Sequence, residues 1–300
     1  MKAIVGAGLA GLLAAHAWPH ARVFEAMERP RATHRALLRF RSASVARLTG
    51  IDFRRVQVRK GIWSEGDFRA PSIRLANLYA RKVLREDRLT GERSIWNVEP
   101  VERFIAPDTL YEQLIDAVRD RIEWGTAFTP PAGSVSTIPM PSLLALLGIE
   151  HSIQFVRAPI TVFRFSIPRA DIFQTVYFPD HDTSIYRVSI TGNTLIAEFA
   201  AQTEALHGSD LFMIEQAFGI DASNLVCREM VEQRFGKIEP IADDERKSLL
   251  FRITHEHGVY SLGRFATWRN ILLDDVIDDI VAIKRLARAA PYEIRMENSK

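Results

Sequence analysis

Apolar positions change period twice within the first 24 residues. Residues 2–5 form a short run with continuous apolar character after Lys2, the pattern of a buried strand. Residues 9–17 (LAGLLAAHA) are rich in Ala and Leu over a helical length, and residues 21–24 (ARVF) return to strand character. Gly6, Gly8 and Gly11 stand between the first two at G-x-G-x-x-G spacing. Strand, glycine turn, helix and strand make one compact βαβ unit.

Farther along, residues 56–75 alternate enough to predict short strands, punctuated by Gly61, Gly66 and Pro71. Residues 95–104 predict another strand pair. Residues 106–122 predict a helix, capped by Asp108 or Thr109, with Leu110, Leu114, Ile115 and Val118 on one stripe. Residues 122–128 read as a strand, and 133–148 as a strand, a proline-rich turn and a short helix. Residues 153–166 and 172–200 hold adjacent strands with a hairpin turn at 191–193, which predicts an antiparallel sheet. A helix at 207–219 and a strand at 225–236 follow. Residues 259–288 read as strand, glycine turn and long amphipathic helix.

These elements predict an α/β chain: a Rossmann-like domain interrupted by an antiparallel-sheet domain. Residues 1–50, 94–150 and 255–300 are assigned to the first, and 51–93 and 151–254 to the second. The 47% apolar content of the 300 residues supports a sizeable core. No run of eighteen apolar residues occurs, so no membrane span is expected, and the glycine-split start does not read as a signal peptide. Cys227, the single cysteine, excludes an internal disulfide and suits a reducing cytoplasm. No Cys/His ligand cluster predicts a metal.

Net charge is only +2, but it is unevenly spread. Residues 22–93 carry 18 Lys+Arg against 8 Asp+Glu, an excess of +10, and the rest of the chain carries −8. Such a segment either meets an anionic ligand or is balanced by the acidic remainder in three dimensions.

The opening loop has a mechanical reason for each glycine. Gly6 permits the turn, Gly8 lets the backbone approach a pyrophosphate, and Gly11 lets helix and strand pack closely. The helix N-terminus offers free N–H groups to phosphates. Glu25, 19 residues after Gly6, stands where an acid accepts hydrogen bonds from a ribose diol. The motif alone does not separate NAD from FAD, but no second copy marks a nicotinamide domain.

The stretch IVGAGLAGLLAA…VFEA resembles the FAD-binding start of the flavin amine oxidase and UDP-galactopyranose mutase superfamily. The V-x-T-x-P stretch at 135–139 resembles that superfamily's return to the FAD sheet. Gly263, Arg264, Phe265, Ala266, Trp268, Arg269, Val276 and Ile277 are similar to the C-terminal FAD motif of the mutases. The Gly-Gly pair usual after the ribose acid is absent. The resemblance implies a GR2-type FAD-binding domain. Its cofactor contacts are expected from Gly6, Gly8, Ala10, Gly11, Glu25, Ala26, Arg39, Thr137, Gly263 and Arg264. The helix start at Leu272 and Leu273 is expected at the flavin pyrimidine.

It also implies an enzyme of the amine- or glycine-oxidase type, oxidising a C–N bond to an imine that water hydrolyses. Small basic flavoproteins of this look occur among phage enzymes that tailor modified thymines, so an amino-acid-modified thymine in DNA is one expected substrate. A mutase-like enzyme acting on a nucleotide sugar is the alternative, with Tyr177, Tyr186 and Tyr260 available to it. Lys237 is the candidate for holding a water or oxygen, and Arg41 and Tyr260 for meeting an anionic substrate. Trp63 and Trp96 could stack on an extruded base or belong to the core. His34, His151, His181, His255 and His257 show no spacing with a mechanism.

Overall fold

The computed structural model describes residues 1–29, 38–85, 87, 94–168, 170–201 and 203–289. His34 and residues 30–37 of the basic stretch therefore lie outside the described residues. In chain order the first strands and helices are β1 (Ala3–Val5), α1 (Leu9–Ala17), β2 (Arg22–Phe24), β3 (Arg39–Phe40), α2 (Ser44–Thr49), β4 (Arg54–Ser64) and β5 (Asp67–Phe68). Then come α3 (Ile73–Leu84), β6 (Val101–Ile105), α4 (Leu110–Asp116), β7 (Ile122–Glu123), β8 (Ser134–Ser136) and α5 (Met140–Leu147). The middle holds β9 (Arg157–Ser166), β10 (Ile172–Tyr177), β11 (Ile185–Gly192), β12 (Thr194–Phe199), α6 (Gly208–Phe218) and β13 (Val226–Ile238). The chain closes with α7 (Asp243–His257), β14 (Val259–Ser261) and α8 (Leu273–Ala289).

Two sheets result. The smaller is parallel, in the order β14-β8-β1-β2-β7. Helix α1 is apolar nearly all round and is accordingly buried, with Leu12 and Leu13 almost fully enclosed. Each such leucine contributes up to about 1.5–3 kcal/mol. Helices α1, α4 and α8 share this core with β1, β2 and β8.

The larger sheet runs β13-β9-β12-β11-β10-β4-β6-β3, with β5 paired to β4. It is antiparallel as expected, except that β10 and β4 are parallel. That junction joins strands from the two sequence segments of the second domain. The domain boundaries need correcting at two strands: β3 and β6 were assigned by sequence to the Rossmann-like domain, yet both pair into the large sheet. The same correction applies to 73–84. Alternation suggests strand as far as residue 75, but Ser72 caps a helix by accepting from Leu75 N, with Leu75, Ala76, Ala80 and Val83 buried beneath it.

The large sheet has two unlike faces. Phe163, Phe165, Val176, Val188, Ile190, Leu195 and Ala197 pack beneath α6. Residues of the opposite parity lie on the inward face: Thr175 and Tyr177 of β10, Arg187 and Ser189 of β11, Ile196 and Glu198 of β12. Helix α3 covers part of that face, with Val83 among Tyr186, Ile160, Val162 and Ile196. No helix among the described residues is long and apolar enough to cross a membrane.

Candidate functional site

Four connections converge at the carboxyl ends of the parallel strands, where open α/β sheets take ligands. Gly6, at φ +102°, follows β1, and its N–H donates to Phe24 O at 2.8 Å. A Cβ on Gly6 would lie 2.1 Å from Thr137 Oγ1, and one on Gly11 would lie 1.8 Å from Gly6 O. Gly8 differs, since a Cβ there meets nothing within 4 Å. Two glycines therefore serve strand–helix packing, while the third faces open space.

Helix α1 begins at Gly8 with no side-chain cap and no acid in its first turn, leaving N–H groups for an anion. Glu25, after β2, accepts from Ala7 N at 2.7 Å and from Met27 N at 3.0 Å, which fixes its carboxylate beside the loop. Ala26 follows on the surface. Thr137, after β8, donates both N–H and Oγ1 to Val5 O, at 2.8 and 3.0 Å. Gly263, after β14 at φ +94°, lies so close to α1 that a Cβ would be 2.8 Å from Ala10 Cβ. The two glycine motifs, at opposite ends of the chain, thus meet. Tyr111 of α4 donates to Ala7 O at 3.3 Å; burial, with Glu25 and Glu112 adding to it, pushes its phenol up to about 12.

A second set of contacts fastens the start of α8. Asp274 accepts the backbone N–H groups of Arg41 and Ser42, each at 3.1 Å, and Arg41 Nη2 pairs with Asp275. Leu272 N donates to Asp275 Oδ2 at 2.8 Å, and Leu273 opens the helix. Arg264 donates to Asn270 Oδ1 at 3.0 Å and stacks 5.7 Å over Phe265.

The inward face of the large sheet is the third part. Arg39, expected at a cofactor, spends its guanidinium on this sheet instead. It donates to Thr175 Oγ1 at 2.7 Å, to Thr191 Oγ1 at 3.0 Å and to the carbonyls of Gln174 and Ile190. Burial, with Arg187 beside it, pushes Arg39 down to about 9. Glu198 is 1% exposed; it accepts from Tyr186 OH at 2.9 Å and pairs with Arg187 through Nε and Nη2. Burial alone would raise this carboxyl, but Arg187 and, behind it, Lys237 hold it below the ordinary range. Lys237 Nζ lies 4.7 Å over the Tyr186 ring. Arg103 of β6 donates to Glu102 O at 2.7 Å, and burial lowers its pKa against the opposing pull of Tyr177 and Asp274.

The structure thus brings together Gly6, Gly8, Ala10, Gly11, Glu25, Thr137 and Gly263, and separately Arg41, Leu272 and Leu273. Tyr260 needs correcting as a substrate residue: it is 9% exposed and belongs to the core of the parallel sheet, because alternation along β14 turns it among the helices. Trp63 packs under α6, on the outer face, against Phe68, while Trp96 is exposed. His151 contacts Phe155, and His255 stacks on Phe251. Sequence reasoning missed Arg103, Arg187 and Glu198. The signal was a single charge inside an otherwise apolar strand, as in SIYRVSI and TLIAEFAA.

The uneven charge along the chain is in part matched in space. Arg22 pairs with Glu123, Arg41 with Asp275, Arg54 with Asp171, Arg55 with Glu102 and Arg85 with Glu239. All five acids lie outside residues 22–93. No cluster among the described residues could hold a metal ion.

No protein-family model matches the chain, and no curated protein does. Solved structures do. A reduced UDP-galactopyranose mutase is similar at TM-score 0.70 and 14% identity, over 97% of this chain and 94% of that one. Klebsiella pneumoniae HpxO, complexed with FAD and uric acid, is similar at 0.53 and 16%, over 97% and 81%. An oxidoreductase from Methanosarcina mazei is similar at 0.52 and 13%, over 95% and 100%. The likeness is one of fold: a mixed α/β architecture with a parallel sheet and a large, mainly antiparallel sheet, as the sequence predicted.

Proposed function

We propose that the chain binds FAD at the carboxyl ends of its parallel sheet and is a flavin-dependent oxidoreductase. The open approach at Gly8 carries this reading, since it stands before an uncapped helix and between glycines that tolerate no side chain. Gly8 and the first turn of α1 would hold the pyrophosphate, Glu25 the ribose, and the Gly263 loop and the α8 start the ribityl and pyrimidine end. Purified protein should be yellow and release FAD on denaturation. Apoprotein that takes up no added FAD would overturn the reading, and unchanged FAD retention in Glu25→Ala would overturn the ribose assignment.

The finer reading is oxidation of a C–N bond next to an amine, on a substrate that carries an acid group, such as an amino-acid-modified thymine. Bound FAD supplies the two-electron acceptor for that chemistry. The protein's part is to keep the amine neutral. Arg39, Arg103, Arg187 and Lys237 surround the inward face with positive charge, which lowers the pKa of an amine placed there and removes the need for a strong base. Water then hydrolyses the imine. Lys237 would hold that water, from its place above Tyr186.

The second reading is a mutase-like enzyme. It is supported by the TM-score of 0.70 over 94% of a UDP-galactopyranose mutase, and by Tyr177 beside the same cations. The two readings separate under anaerobic conditions. Bleaching of the oxidised flavin by DNA bearing amino-acid-modified thymine supports the amine oxidation. Turnover of UDP-galactopyranose by pre-reduced enzyme alone supports the mutase.

A further inference from the structure

We propose that Tyr111 is a positioning residue of the glycine loop: it turns the Ala7–Gly8 peptide so that the N–H of Gly8 faces the opening there and meets the diphosphate of a bound dinucleotide. This deepens the flavoenzyme reading and rests on it for which dinucleotide is bound, though not for the binding of a diphosphate.

Successive peptides after β1 are held in different ways. In the Val5–Gly6 peptide both ends are fixed: Val5 O accepts from Thr137 N and Oγ1 at 2.8 and 3.0 Å, and Gly6 N donates to Phe24 O at 2.8 Å. In the Gly6–Ala7 peptide, Ala7 N donates to Glu25 Oε2 at 2.7 Å. Its carbonyl is enclosed, since a Cβ on Gly11 would lie 1.8 Å from Gly6 O. In the Ala7–Gly8 peptide, Ala7 O accepts from Tyr111 OH at 3.3 Å, while Gly8 N–H meets no acceptor among the described residues. Strand neighbours and close packing thus orient the first two peptides, and a side chain from α4 orients the third.

A trans peptide is planar, and its C=O and N–H point in opposite directions. The carbonyl turned onto Tyr111 therefore sends Gly8 N–H to the other side, away from α4. Space lies open at Gly8, where a Cβ meets nothing within 4 Å, and α1 begins there with no side-chain cap. The same peptide turned over would aim a carbonyl oxygen at the anion and withdraw a donor from it. Gly8 itself does not oppose that turn, because a residue without Cβ accepts the backbone angles of either orientation.

The phenol is suited to this task. Tyr111 is half-buried, and burial, with Glu25 and Glu112 adding to it, raises its pKa to about 12. It therefore keeps its proton throughout the neutral range and donates. Glu25 and Tyr111 hold Ala7 from two sides, one at the N–H and one at the carbonyl. A donor fixed beforehand needs no reorganisation when the anion arrives.

The test compares full-length wild type with Tyr111→Phe, both stripped of cofactor and titrated with FAD, ADP and adenosine. ADP carries the diphosphate without flavin, and adenosine carries neither. The expected result is FAD and ADP binding weakened about tenfold, with adenosine binding within about twofold of wild type. The phosphorus resonances of bound FAD should also shift in the variant. The ratio of ADP to adenosine affinity is taken within each protein, so a general loss of stability cancels from it. Equal weakening of ADP and adenosine makes Tyr111 a packing residue and overturns the proposal, as does unchanged affinity for FAD and ADP. If wild type takes up ADP but no FAD, a Tyr111-dependent ADP ratio upholds the positioning role while the flavin reading falls. If wild type binds neither, both fall.

Discussion

The carboxyl ends of the parallel sheet and the inward face of the large sheet are built by opposite means. Around Gly6, Gly8 and Gly11 the surface is made by leaving side chains out, so that N–H groups and a helix N-terminus are left open. Around Arg103, Arg187 and Glu198 it is made by burying side chains that would rather be in water. The first solution is local and tolerates no bulk. The second depends on strand register and tolerates no loss of a partner.

The comparison breaks most sharply at two glycines. Gly11→Val should prevent folding or cost about 3 kcal/mol or more, because its Cβ would sit 1.8 Å from Gly6 O. Gly8→Val should leave the chemical denaturation midpoint nearly unchanged, yet weaken FAD about tenfold or more, a loss of about 1.4 kcal/mol or above. If both variants lose stability equally, Gly8 is a packing residue and the open approach means nothing.

On the inward face, Glu198→Gln should cost about 3–5 kcal/mol, because it strands Arg187 without its carboxylate. A loss below about 1 kcal/mol by urea denaturation would show that the pair is not buried in solution.

Lys82 tests a buried charge away from both sites. Its ammonium donates to Phe178 O at 2.8 Å and Asp180 O at 2.6 Å, and burial pushes it down to about 8. The folded state holds this proton less tightly than the unfolded chain. Unfolding therefore takes up a proton above about pH 8, and stability rises with pH until the ordinary value of 10.5 is reached. Lys82→Met should cost about 1–3 kcal/mol at neutral pH by stranding two carbonyls, and should flatten that alkaline rise. A thermal-denaturation pH series in which wild type and variant run parallel would contradict this.

The smallest effect belongs to the exposed pairs. Arg54→Ala, which removes the Asp171 partner, should leave the denaturation midpoint nearly unchanged, and salt should reduce what difference remains.

Legibility follows the same division. The βαβ unit, the helix cap at Ser72 and the hairpin at Thr191–Gly192 depend on neighbours in the chain, although the pattern at 73–84 was obscured by the alternating run before it. Gly263 was legible through resemblance, but its contact with Ala10 joins residues more than 250 positions apart. The basic segment was legible as composition and opaque as chemistry. Five of its arginines meet acids from elsewhere, whereas Arg103 and Arg187 lie outside it.

By itself the sequence determined the glycine loop, its helix and the acid at the end of β2, because turn geometry, helical period and close backbone approach act over a few residues. Only the tertiary structure decided that β3 and β6 join the large sheet, that the sheet curls until Arg39 reaches β11, and that Glu198 is spent on Arg187. Those outcomes depend on which strands pair and in what register. A shift of one residue would send every one of these charges to the other face.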